Sequence, residues 1–114
     1  MLPVTANINE RLEELLTDIF PPGSVYARPF RLNDAIAFAV WQAIGTLPPN
    51  ERNCICLHYG ITKQPARLKE IAESLKQDGM INKDATREHI RRLLARGLNK
   101  LRQADGIRAA LGPS

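Results

Sequence analysis

The chain has 114 residues, enough for one domain with a modest core, and 44% of them are hydrophobic. The longest apolar run, residues 35–44, is interrupted by Gln42 and is too short to cross a bilayer. No basic segment leads into an apolar stretch at the N-terminus, and two cysteines are too few for a disulfide scaffold. Neither a secretory signal nor a membrane span is expected, and the expected location is the reducing cytoplasm.

The net charge of +4 is unevenly spread. Residues 1–34 carry five acids and three bases, whereas residues 35–114 carry thirteen bases and seven acids. A basic C-terminal part fits a polyanionic partner, and it equally fits a solubilising surface.

The first predicted element is an amphipathic helix within residues 1–20. Ile8, Leu12, Leu15, Leu16 and Ile19 recur at helical spacing, and Asn7 with Glu10 fits a capping box. "PPG" at 21–23 ends it, and residues 21–32 read as a linker. The apolar face, Leu12, Leu15, Leu16 and Ile19, either lies against the domain's own surface or docks a partner or a second copy.

The remaining elements form one unit, residues 33–111. A second helix starts at Asn33 or Asp34 and runs to Gly45, apolar on nearly every side; it is expected to bury Trp41 or to keep a face for a partner. A third opens at Pro49, where the missing N–H costs nothing, and stops at Gly60. Glu51 and Arg52 read as its solvated start. A fourth, residues 67–76, places Leu68, Ile71, Ala72 and Leu75 on one side. "ATREHIRRLLARGLNKLR", 85–102, is the fifth, with Thr86 as its cap. A short sixth helix is expected over 104–111. Strand-like alternation does not persist, so the expected class is all-α.

The fifth helix has two sides. At about 100° per residue, Ile90, Leu93, Leu94, Gly97, Leu98 and Leu101 form one stripe. Glu88, Arg92, Ala95, Arg96 and Asn99 lie opposite, flanked by Arg87 and Arg91. Gly97 marks a place where another helix could come close. No large aromatic borders the stripe, which argues against a membrane-surface helix. A helix, a connection and a helix with a charged N-terminal outer side make up a helix-turn-helix, whose second helix reads the major groove. Arginine suits guanine O6 and N7, and Lys69 and Lys76 on the preceding helix suit phosphates.

Several stretches in order, "LPPNERNCICLHYGI", "RLKEIA", "TREHIRRL" and "GLNKLR", resemble region four of primary-type sigma factors, the promoter-specificity subunits of bacterial RNA polymerase. The resemblance spans roughly residues 32–102. It implies a small helical bundle whose last long helix reads the promoter −35 element, and a groove that holds the tip of the polymerase β flap. By position, it implies DNA contacts from Arg87, Glu88 and Arg92, with Arg91 and Arg96 as further basic positions. The chain departs from the pattern in three ways. Ten residues, 76–85, separate Leu75 from Thr86, where the family has about two. Arg92 and His89 stand where the family has glutamine and arginine. The aromatic-bearing domain that melts the −10 element has no counterpart. The implied function is that of a transcription regulator that joins polymerase core and promoter DNA, as half of a split sigma factor or as a phage or mobile-element co-activator. A stand-alone DNA-binding regulator, dimeric through residues 7–20, and a protein-only anti-sigma-like module are the alternatives.

No paired carboxylates, nucleophile–base set or phosphate-binding glycine loop occurs in the sequence, so neither an enzyme nor a cofactor is expected. Cys54, Cys56 and His58 are alternate residues, about 200° apart on a helix, and cannot converge on a metal. The resemblance places Cys54 in the core and Cys56 at the surface.

Overall fold

The computed structural model describes residues 8–26, 30–61 and 64–112, and every regular element among them is a helix. The helices are α1 (Ile8–Ile19), α2 (Asp34–Gly45), α3 (Pro49–Tyr59), α4 (Leu68–Gln77), α5 (Arg87–Arg102) and α6 (Asp105–Leu111). Asn7, half of the expected capping box, lies outside the described residues, as do parts of the linker and of the loop after α3. No helix among the described residues is long and apolar enough to cross a membrane.

Local chemistry sets the ends of these helices. The Asn33 side-chain oxygen accepts from the Ile36 N–H at 2.9 Å and starts α2. Pro49 occupies the first position of α3, and Gly60 ends that helix in the left-handed region, φ +69°. A Cβ at Gly60 would lie 2.6 Å from Pro65 Cγ, so both the backbone angle and the space require glycine. At α4, Glu70 Oε1 accepts from the Arg67 N–H at 2.9 Å. Thr86 sits at the cap position of α5, but its hydroxyl makes no cap hydrogen bond, contrary to the sequence expectation.

One core joins all six helices. α3 and α5 lie at its centre and pack closely, because Gly97 leaves room for Ile55: a Cβ there would be 3.0 Å from Ile55 Cγ1. α4 buries Ile71, Ala72 and Leu75. α2 buries Ile36, Val40, Ala43 and Ile44, with α6 against it.

α1 belongs to the same core. Leu12, Leu15, Leu16 and Ile19 are each at most 1% exposed. These residues were a candidate docking face; the structure corrects this, placing them inside the chain's own bundle against α2, α3 and α5. Each such side chain contributes about 1.5–3 kcal/mol on burial. Polar bonds hold the helix in place. Arg11 Nη1 donates to the Gly60 carbonyl at 2.7 Å, the Tyr59 hydroxyl to Asp18 Oδ2 at 2.6 Å, and Arg102 Nε to the Ile19 carbonyl at 2.6 Å. The Leu32 N–H donates to Glu13 Oε2 at 3.0 Å, tying the far end of the linker to α1. The linker side chains also join the core: the Phe20 and Tyr26 rings are 4.6 Å apart and Phe30 is buried.

Candidate nucleic-acid interface

The two sides of α5 follow its sequence period. Ile90, Leu93, Leu94, Gly97 and Leu101 are buried, and Leu98 is half-buried. Arg87, Glu88, Arg91, Arg92, Arg96 and Asn99 are exposed. Apolar packing on one side thus presents the arginines on the other, along the N-terminal two-thirds of the helix.

These charged groups are not equivalent. Arg91 Nη1 donates to Glu88 Oε1 at 3.1 Å, an exposed pair one turn apart that can open when a partner arrives. Arg87, Arg92 and Arg96 make no hydrogen bond or ion pair among the described residues. Their donors are available to a ligand at little cost in broken contacts.

α4 stands behind the start of α5. Lys69, Glu73 and Lys76 of α4, with Ala85, Thr86 and Arg87, line a shallow groove of about 510 Å³. Its rim carries three bases and one acid. Lys69, Thr86 and Arg87 are thereby brought together, while Arg92 and Arg96 are exposed further along α5, outside that groove.

The connector between the helices spans residues 78–86 and is anchored at its start. Gly79 takes φ +72°; its N–H donates to Lys76 O at 3.1 Å and that of Met80 to Leu75 O at 2.9 Å. This is a Schellman termination of α4. Met80 and Ile81 pack on the core, and Asn53 Nδ2 of α3 lies 3.0 Å from Met80 Sδ. At the other end the Ala85 N–H donates to Asn82 O at 3.0 Å. The extra length therefore forms a tethered excursion, and α4 still packs on α5.

Two groups that support α5 departed from sequence expectation. Glu51, read as part of a solvated helix start, is 5% exposed. Lys100 Nζ lies 2.9 Å from its Oε1 and donates to its Oε2 at 3.1 Å, tying α3 to α5 beside Gly97. Cys56, placed at the surface by the resemblance, is buried as Cys54 is. Burial pushes the Cys54 thiol up to about 12, with the Glu51 carboxylate adding to it, and raises that of Cys56. Both are core thiols, and Cys54 Sγ lies 3.7 Å from the Ile90 carbonyl.

Trp41, expected in the core if not at a partner, is 41% exposed, and Phe38 one turn earlier is 63% exposed. They form the outer apolar side of α2. The sequence signal for it was the absence of any polar side on that helix.

No protein-family model matches the chain, and neither the curated proteins nor the solved structures include a match to it.

Proposed function

We propose that the protein is a DNA-binding transcription regulator whose α4 and α5 act as a helix-turn-helix, with α5 entering the major groove. The supporting observation is the row of exposed arginines on α5, of which Arg87, Arg92 and Arg96 are unpaired among the described residues. In this reading Arg87 and Arg92 pair with guanine edges, Glu88 accepts from a cytosine amino group, and Arg91, Arg96 and Lys69 take phosphates. Thr86 sits at the entrance of the helix beside the backbone.

The likeness of its motifs to sigma region four extends the proposal to a role with bacterial RNA polymerase core, on −35-type promoter DNA. The buried position of Leu12, Leu15, Leu16 and Ile19 narrows how that contact would be made. A β-flap segment would meet the Phe38–Trp41 side of α2, or it would have to displace α1. The test is capture of core polymerase and of the isolated flap by the full chain, with Trp41→Ala as the control. The proposal expects binding that weakens in the variant. Absence of binding to both would remove the polymerase role and leave the stand-alone regulator.

A further inference from the structure

A second groove lies at the other end of α5. It has a volume of about 600 Å³, within the range of ligand-binding clefts. Ile19, Phe20, Pro22 and Tyr26 supply its apolar lining, and Arg102 of α5 and Arg108 of α6 supply its charge. Among the described residues, no carboxylate residue lines it.

Both guanidiniums are held from behind. Arg102 donates through Nε to the Ile19 carbonyl at 2.6 Å. Arg108 donates through Nη2 to the Gln103 carbonyl at 3.1 Å and to Asp105 Oδ1 at 2.7 Å, an exposed ion pair that a ligand carboxylate would share or displace. A guanidinium has five N–H donors, so most of them remain for a ligand, and the anchoring reduces the side-chain freedom lost on binding.

We infer that this groove binds an acidic–apolar segment of a partner protein, with carboxylates on Arg102 and Arg108 and an apolar side chain against Tyr26 and Pro22. Charge complementarity selects an anion, and the lining selects the class. A free phosphate makes no use of the apolar wall. Duplex DNA is assigned to the far end of the helix: Arg87 and Arg102 are fifteen residues apart, about 22 Å along the axis. The chain can therefore hold DNA and an acidic protein segment at once. The groove itself does not rest on the DNA reading.

The test is NMR on the ¹⁵N-labelled full chain, following backbone amides and arginine Nε–H signals during titration. The probes are acetyl-Asp-Phe-Asp-Leu-amide, its asparagine counterpart, inorganic phosphate and a short DNA duplex. The acidic peptide should give saturable shifts at Ser24, Tyr26, Arg102 and Arg108. The asparagine peptide, which lacks both carboxylates, should bind at least tenfold more weakly, since a single charge-assisted hydrogen bond is worth about that much. Arg108→Gln should weaken the acidic peptide similarly while leaving the effect of the duplex on Arg87 and Arg92 unchanged. Equal binding of the two peptides, shifts centred on Arg87–Arg96, or equal displacement of the same signals by phosphate or duplex would overturn the inference. Such results leave the DNA proposal standing, because its own signals are read separately in the duplex titration.

Discussion

Lys100 is half exposed at its side chain, while its partner Glu51 is almost enclosed. Removing the cation leaves a buried carboxylate without its counter-charge, which costs more than the pair contributes when intact. Lys100→Met should therefore destabilise the protein by about 2 kcal/mol, discounted from the fully buried case for the water around Lys100. Adding Glu51→Leu should recover much of that loss in a double-mutant cycle measured by urea unfolding. A single-site loss that the second change does not relieve would contradict the pairing. Cys54 carries a second residue-scale prediction. Its thiol is raised from 9.0 to about 12, so folding favours the protonated form. That contribution is complete below about 9 and is lost as pH rises through about 12. Urea midpoints should fall over that alkaline window, and less steeply in Cys54→Ala. Tyr59, raised by burial and by its bond to Asp18, acts in the same direction, so the variant's curve should retain part of the fall. At neutral pH both thiols should resist an aromatic disulfide reagent until the protein is unfolded.

At the scale of elements, α1 is decisive. An amphipathic helix has the same periodicity whether it covers its own domain or a partner, so the sequence left both open. The deciding contacts join residues far apart in the chain: Tyr59 with Asp18, Arg11 with Gly60, Arg102 with Ile19. Tyr59 and Gly60 belong to the "HYGI" stretch that carries part of the sigma-like pattern, and here they hold the N-terminal helix. Leu15→Ala should cost about 2–5 kcal/mol in thermal or urea unfolding. A variant of unchanged stability would instead mark α1 as a separate docking helix. The same distinction explains what was legible elsewhere. The starts of α2 and α3, the end of α3 and the two sides of α5 were readable because Asn33, Pro49, Gly60 and the leucine period act locally. Glu51 and Cys56 were not, since their burial comes from packing within the folded bundle, for Glu51 against a helix nearly fifty residues later. In sequence, residues 76–85 stood only as a long loop where the sigma pattern has a tight turn. Its Schellman end was encoded in Gly79, but the anchoring of Met80 on α3 was a tertiary fact.

On the scale of the whole molecule, α5 is the element that links the other parts. Its N-terminal arginines project outward, its middle is locked to α3 by Gly97 and the Glu51–Lys100 pair, and its last arginine holds α1. Of the basic residues that the sequence singled out, Lys69, Lys76 and Arg87 line one groove, and Arg91, Arg92 and Arg96 are exposed further along α5. The groove formed by Arg102 and Arg108 with the linker was not legible, because it joins three segments that the chain keeps apart. Glu10, Glu14 and Asp18 are exposed on α1 and Arg87, Arg91, Arg92 and Arg96 on α5, so the charge asymmetry of the chain is an asymmetry between elements.

The most direct test of the central claim is the affinity of the full chain for a duplex enriched from a random pool, measured by fluorescence anisotropy across a salt series. The account predicts an affinity that falls linearly with salt on logarithmic axes. Arg92→Ala should cost about 1–3 kcal/mol and relax the preference at one base pair, and Arg96→Ala should lower the salt slope by about one without changing preference. Affinity and salt slope left unchanged by charge reversal at Arg87 and Arg92 would contradict it, and would assign the arginines of α5 to a protein partner instead.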